Sequence, residues 1–523
     1  MESKNIRIKR ALLSVSDKTG LIELAKGLIR WNVELISTGG TEQHLVQAGI
    51  KPRNISEVTD FPEILDGRVK TLHPMIHGGI LAIRDSNKHM ETIQKEGIPL
   101  IDLVCINLYP FGDIIQNPQC SLNEAIENID IGGPSLLRSA SKNFRDVVVL
   151  SSPQDYAALL KEMDENQGAV SLSLREKFAV KSFSYTAQYD STIFNFFNQK
   201  FQNEITPTYF VFSGKKIQEM RYGENPHQKA AFYAEPASQE PSLTHMIQHQ
   251  GKELSYNNIV DSDSALNLIS EFTSPALCIV KHTNPCGVAI DANIHDAFLK
   301  AWSTDPISAF GGIIAVNQLV SANLAELILE KLKFFEIILA PAYEKEALIF
   351  FSKRPQLRVL EIPSSKQSIN GFVYDFKKVN GGFLVQTKDS LNESIESYQV
   401  VTKTVPTKII FEQMIFGWKV VKHIKSNGII LVKDGKSVGI GVGQTSRVGS
   451  LEIAIRQAEM RANESVMASD ALLPFSDSVE LCKKHGICGI IQTGGSVRDK
   501  EVIESADEAG IPMVFTGIRH FKH

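Results

Sequence analysis

Short apolar runs alternate with segments of helical spacing over residues 1–200. Ala11–Val15 predicts a buried strand, and Leu21–Trp31 predicts a helix with Leu21, Leu24, Leu28 and Trp31 near one face. Val33–Ile36 predicts a second strand, followed by a helix from about Thr41 to Ala48. Asp102–Leu108 and Val147–Leu150 add two more strands. Strand and helix in turn predict a largely parallel, doubly wound sheet. Ligands of such sheets sit where strands end and helices begin. From Ser171 to about Phe201 no Gly or Pro interrupts one long helical pattern.

The pattern changes near residue 205. Ile217–Pro226 opens a second block, with apolar strands at Ala276–Val280, Gly312–Val316, Gly428–Val432 and Gly486–Ile491. The polar stretch Ser364–Ser397 takes no assignment. Two domains are expected, residues 1–200 and 205–523.

Composition narrows the function classes. The 523 residues are 43% hydrophobic and 22% charged, with a formal net charge of −4. No long basic run argues for nucleic acid as a partner. No apolar stretch is long enough for a bilayer, so no membrane partner is expected. The six cysteines form no C-x-x-C pair, and the N-terminus carries no signal-peptide pattern. Together these predict a reduced, cytoplasmic protein.

The strand-end turns carry the candidate chemistry. Ser16-Asp17-Lys18-Thr19-Gly20 and Ser37-Thr38-Gly39-Gly40-Thr41 each precede a helix, where free N–H groups and glycine suit a phosphate. Either turn alone is equally well a plain N-cap. Asp66 to Pro74 places Arg68, Val69, Lys70 and Thr71 in a loop suited to a nucleotide. His73 and His77 would need a helix to share a metal, and Pro74 with two glycines argues against one. Asn107 and Tyr109 stand at the end of a buried strand. Asp130-Ile131-Gly132-Gly133 and Lys142 complete the set. A partly desolvated lysine can carry protons, although most lysines are surface charges. In the second block, Lys281-His282 follows a buried strand and suits an oxyanion donor beside a base, although the pair taken alone reads more readily as a surface turn. Arg221-Tyr222 and Arg447 suit a phosphate and a ring, and Gly517–His523 reads equally as a frayed tail.

SVSDKTG, STGGT, DGRVKTLHP, NLYPF, DIGGPSLLRSASKN and TAQYD resemble the IMP cyclohydrolase domain, which has a methylglyoxal-synthase-like fold. RYGENPHQ, KHTNPCG, DPISAFGGIIAVN, GVGQTSRV, MASDALLPF and TGIRHFKH resemble AICAR transformylase. The chain is thereby identified as a member of the bifunctional AICAR transformylase/IMP cyclohydrolase family of purine biosynthesis.

For the first block, the resemblance implies nucleotide contacts from Ser16, Asp17, Lys18, Thr38, Gly39, Gly40, Thr41, Arg68, Val69, Thr71, Asn107 and Ile131. It implies catalytic roles for Lys70, Tyr109, Asp130 and Lys142, with Lys142 shuttling the proton. Met75 stands where relatives often carry lysine. For the second block it implies two cytidine-deaminase-like units and a homodimer with shared sites. His282 would be the base, Lys281 would stabilise the oxyanion, and Asn427 would hold the carboxamide. Arg221, Tyr222, Glu336, Arg447, Arg519 and Phe521 would seat AICAR. Leu472, Asp477, Ser496 and Val497 would face the cosubstrate, 10-formyltetrahydrofolate. No bound cofactor is expected. Zinc is not expected either, because His282-Thr283-Asn284 lacks the deaminase Glu and Ala289 replaces the second cysteine. Two other classes stay open on residues alone, a nucleotide-sensing first domain and a deaminase.

Overall fold

A computed structural model of the chain describes residues 5–236, 241–363, 373–390 and 394–523. The chain divides into two compact units between Lys215 and Lys216. In the first, strand β1 (Arg10–Val15) leads to helix α1 (Leu21–Arg30), then β2 (Glu34–Ser37), α2 (Gly39–Gln47) and β3 (Arg53–Asn54). Helix α3 (Pro74–Leu81), β4 (Leu103–Asn107), α4 (Gly132–Lys142), β5 (Val148–Leu150) and the long α5 (Leu172–Phe197) follow. The five strands form one sheet in the order β3–β2–β1–β4–β5, every pair parallel. The parallel sheet expected from the alternating pattern is present. Leu12, Leu13, Leu103, Val104 and Val149 are fully buried in its core. Each such side chain contributes about 1.5–3 kcal/mol.

Helix α3 corrects the loop expected around Pro74. Proline occupies the first helical turn, where its missing N–H costs nothing, and His73 Nδ1 accepts from the Met75 N–H at 3.2 Å. Gly79 does not break the helix. A Cβ there would stand 2.1 Å from the Pro99 carbonyl oxygen, so glycine permits close packing.

The second unit holds a twelve-stranded mixed sheet built twice on one plan. Its first half comprises β6 (Ile247–Gln250), α6 (Tyr256–Ile269), β7 (Ala276–Lys281), β8 (Asn284–Ile290), α7 (Ile294–Trp302) and β9 (Ile313–Val316). Helix α8 (Ala322–Lys331), β10 (Ile337–Ala340), α9 (Lys345–Ser352) and β11 (Arg358–Glu361) complete it. The second half repeats this with β12 (Gln399–Val400), α10 (Lys408–Val421), β13 (Ile429–Lys433), β14 (Lys436–Gly441), α11 (Arg447–Ala458) and β15 (Val466–Ser469). It ends in α12 (Asp477–Lys484), β16 (Gly489–Gln492), α13 (Asp499–Ala509) and β17 (Met513–Phe515).

The strand order is β6–β11–β10–β9–β7–β8, then β14–β13–β15–β16–β17–β12. Each half has an antiparallel hairpin, an antiparallel neighbour and two parallel strands beyond it. The halves join through antiparallel β8 and β14. One face of the sheet carries a core common to both halves, including Phe272, Val280, Trp418 and Ile430. The other face carries a separate core under each half. Within the stretch left unassigned from sequence, Tyr374–Val379 and Gly382–Thr387 form an antiparallel hairpin. Residues 364–372 and 391–393 of that stretch lie outside the described residues.

Candidate functional site

The first unit gathers its candidate residues at the carboxyl ends of β1, β2 and β4. Asn107 ends β4 and is buried. Its Oδ1 accepts from the N–H groups of Ser16 (2.6 Å) and Asp17 (2.7 Å), and its Nδ2 donates to the Asp17 carbonyl (2.8 Å). Asn107 thereby shapes the turn that sequence assigned to the nucleotide. Hydrogen bonds from Thr19 hold the Asp17 carboxyl below its ordinary range. Lys18 folds back, and its Nζ donates to the Ser16 carbonyl at 3.4 Å. Thr41 is buried and bonds both the N–H and the carbonyl of Val15. Thr38 meets Ser14 at 2.9 Å. Gly39 and Gly40 are the first residues of α2, and Gly39 adopts φ +42°.

The loop carrying Arg68 to Thr71 closes onto these turns. A Cβ on Gly39 would lie 3.6 Å from the Lys70 Nζ, and one on Gly132 would lie 2.6 Å from the Thr71 Oγ1. Lys70 and Arg68 are paired with Glu63 and Glu127. Val69 makes a bridge to Ile64. At the start of α4, Asp130 Oδ1 accepts from the Gly133 N–H at 2.7 Å. Burial raises the Asp130 carboxyl above its ordinary range, against backbone bonds from Gly133 and Tyr109 and the charge of Lys70. Tyr109 and Ile131 are exposed beside it. The structure thus brings Lys70, Tyr109 and Asp130 together.

Lys142 ends α4, the eleven-residue helix that Asp130 precedes. Lys142 is exposed, and Ser139, one turn back, meets the His77 Nδ1 at 3.0 Å. Sequence reasoning also missed two supports. Tyr185 and Tyr189, four apart on α5, accept from the N–H groups of Leu108 (3.1 Å) and Asp130 (2.8 Å). Tyr189 of the TAQYD motif and Tyr185 just before it therefore hold the two loops from behind. Two tyrosines at i, i+4 in a long helix were the available signal.

In the second unit the candidates converge on one edge of the large sheet. Lys281 ends β7, and His282 and Thr283 form a tight turn into β8, at φ +52° and +62°. The expected loop after a strand is therefore a hairpin. Asp261 of α6 accepts from the N–H groups of His282 (3.2 Å) and Thr283 (2.7 Å), which fixes the turn. Lys281 Nζ donates to the Phe310 carbonyl at 3.0 Å. Asn284 links this turn to the second half. Its Nδ2 donates to the His282 carbonyl (2.9 Å), and its Oδ1 accepts from the Lys425 N–H (3.3 Å), two residues before Asn427. Glu336 precedes β10 at the same edge and pairs with Arg358 at 2.8 Å. Exposed Arg221 stacks on Tyr222 at 5.9 Å, in a turn tied to the start of α6 by Asn257 and Glu224.

Asn427 Nδ2 donates to the Gln444 carbonyl (2.9 Å), and its Oδ1 accepts from Arg447 Nη2 (2.7 Å). Arg447 differs from the open phosphate ligand expected. Its side chain is only 7% exposed and is ion-paired with fully buried Asp470. The segment Arg519–Lys522 is not a frayed tail. His520 N–H donates to the Asp470 carbonyl (3.0 Å), Lys522 N–H to Ser426 Oγ (3.1 Å), and His520 Nδ1 meets Asp389 at 2.6 Å. Exposed Arg519 stacks on Phe521 at 4.3 Å. Leu472, half-buried, follows β15, and Asp477 starts α12. Ser496 N–H donates to Asp499, and Val497 is fully exposed. Phe475, beneath the Arg498 guanidinium at 4.8 Å, is an aromatic face in the same loop that sequence reasoning passed over.

Comparison with known proteins places both units. Residues 20–135 match the MGS-like domain, and residues 140–457 match the AICARFT/IMPCHase bienzyme model. A bifunctional purine biosynthesis protein PurH of Thermoanaerobacter sp. is 50% identical over 98% of this chain and all of its own. PurH of Listeria monocytogenes serovar 1/2a is 50% identical over 99% of the chain and all of its own. A solved structure titled "Crystal structure of ForH" is 38% identical, covers 36% of this chain and 97% of its own, and has a TM-score of 0.33. Full-length relatives at half identity, with both domain models in order, place the chain in the AICARFT/IMPCHase bienzyme family, the bifunctional formyltransferases and IMP cyclohydrolases of purine biosynthesis.

Proposed function

We propose that the working edge of the second unit transfers the formyl group of 10-formyltetrahydrofolate to the 5-amino group of AICAR. The observation that carries this is the joining of the Lys281–His282 turn, through Asn284, to Lys425 of the segment that leads into Asn427. The AICAR amine, conjugated with its ring, is a weak nucleophile. His282 takes its proton as nitrogen bonds to the formyl carbon. Lys281 stabilises the tetrahedral oxyanion, and the folate nitrogen leaves with a proton, giving tetrahydrofolate and formyl-AICAR. Asn427 orients the carboxamide, and Arg221, Tyr222, Glu336, Arg519 and Phe521 line the nucleotide side. Leu472, Asp477, Ser496 and Val497 lie on the folate side. No zinc enters this reading, because His282-Thr283-Asn284 lacks the deaminase Glu and Ala289 stands in place of the second cysteine. The protein works in the cytoplasm as a homodimer.

The first unit closes the ring. The carboxamide nitrogen attacks the new formyl carbon, and water leaves to give IMP. The phosphate rests on the Ser16–Lys18 and Thr38–Thr41 turns and on Arg68 and Thr71. Lys142 shuttles the proton, with Lys70 and Asp130 beside Tyr109 at the closing ring. Incubation with AICAR and 10-formyltetrahydrofolate should yield IMP, and Lys70→Ala should stop the sequence at formyl-AICAR. Lys142→Ala should stop ring closure as well, and IMP formed at the parent rate by that variant would overturn the role given to Lys142.

A further inference from the structure

We propose that Asp470 is a positioning residue for formyl transfer, the carboxylate that holds Asn427, Arg447 and the segment Arg519–Lys522 in one frame. The proposal rests on the reading that Asn427 contacts the nucleotide. Asp470 is fully buried. One carboxylate oxygen pairs with Arg447, and the other accepts from Ser426 Oγ (2.6 Å) and the Gly428 N–H (3.0 Å). Asp470 therefore grips the residues on both sides of Asn427. It also aims the guanidinium that donates to the Asn427 Oδ1. That bond fixes which end of the Asn427 amide is oxygen, and so which carboxamide atoms it can meet. The Asp470 carbonyl takes the His520 N–H, setting Arg519 and Phe521 against the same edge.

The repeat in the sheet separates this role from folding. Asn317 follows β9 as Asp470 follows β15, by register with β7 and β13. Its Oδ1 accepts from the Ala276 N–H at 2.8 Å, as Asp470 accepts from Gly428. The backbone bonds match as well, Asn317 to Ala276 and Asp470 to Gly428. A neutral amide thus closes this corner of the fold in the first half. The negative charge in the second half is an addition, and its partners are Arg447 and Ser426. A buried ion pair is a poor way to gain stability over neutral packing. Its place beside Asn427 gives it a use.

The test is Asp470→Asn in the full chain, which copies the first half's residue. The KM for AICAR in formyl transfer should rise at least about tenfold, the cost of losing a charged hydrogen bond. Ring closure of added formyl-AICAR, the other unit's reaction, should be unchanged. In an Asn427→Ala background the same substitution should add less than about twofold, because Asp470 acts through Asn427. An unchanged KM for AICAR, or losses that multiply, would overturn the proposal. If Asp470→Asn does not fold, Ser426→Ala should still raise that KM by about threefold, within the worth of one neutral hydrogen bond. No rise there overturns it equally. Unimpaired formyl transfer in Asn427→Ala alone would instead overturn the site reading beneath it.

Discussion

The two halves of the twelve-stranded sheet share strand order, hairpin and flanking helices, yet they bring different parts to the working edge. The first half presents its hairpin turn, Lys281 to Asn284, and the amino end of β10 with Glu336. The second half presents the carboxyl ends of β15 and β16, and its own hairpin turn at Asp434-Gly435 lies at the opposite edge. This follows from the antiparallel junction of β8 with β14, which turns one copy over relative to the other. A duplicated fold thereby gains a site with two unlike walls. One wall is a turn carrying acid and base groups, and the other is a strand-end crevice of the kind that binds ligands.

The largest effect should test that asymmetry directly. His282→Ala and Lys281→Ala should each lower formyl transfer at least about 10²-fold, the usual cost of a lost acid/base or oxyanion group. Asp434→Asn in the mirrored turn should leave the rate within about twofold, as surface substitutions do. Steady-state rates with AICAR and 10-formyltetrahydrofolate decide it, and an equal loss at Asp434 would erase the distinction. Next is the strand-end wall. Leu472→Phe should tighten folate binding by a few-fold to about tenfold, from an added π-face worth roughly 0.5–1.5 kcal/mol. Folate titration beside melting curves checks it, and weaker binding in a stable variant would sink it.

Two smaller effects concern stability. Asn317 Nδ2 also donates to the carbonyls of Phe272 (2.9 Å) and Ser274 (2.7 Å). Asn317→Ala should lower unfolding stability by about 1–3 kcal/mol and leave both activities per folded molecule intact, unlike Asp470→Asn. Urea unfolding followed by activity at low urea separates the two corners. The smallest effect is at Lys522, whose ammonium burial holds below the lysine range, opposed by Asp263. Its folded value is depressed, so its stability contribution is present above about pH 10.4 and is lost as pH falls through the lowered value. Between those points the unfolded chain binds more protons at this group, so the Lys522 contribution rises with pH, while the buried thiols and tyrosines with raised values act in the opposite sense in both proteins. The difference in melting temperature between the parent protein and Lys522→Met should therefore shift in the parent's favour across that alkaline range.

The first unit was largely legible because its site is local. SVSDKTG and STGGT are strand-end turns, and a parallel sheet places successive strand ends side by side. The hairpin at Lys281 was not. His282 and Thr283 carry left-handed backbone without being glycine, and Asp261, 21 residues before His282, stabilises them. Pro285 also hides β8, since it sits opposite a shift in register where a missing N–H is tolerated. Asp470 was unreadable for a related reason. In MASDALLPF it looks like a turn residue, and its partners Ser426, Arg447 and His520 are far apart in the chain.

The sequence by itself determined the two-block plan, the parallel sheet of the first unit, and the residue types at each strand end. Periodicity and turn chemistry act over a few residues, so they can be read from one chain. Only the tertiary structure decided the duplication of the second sheet and the burial of Arg447 against Asp470. Those depend on which strands pair and how one half is turned on the other. Such relations join residues that no local pattern connects.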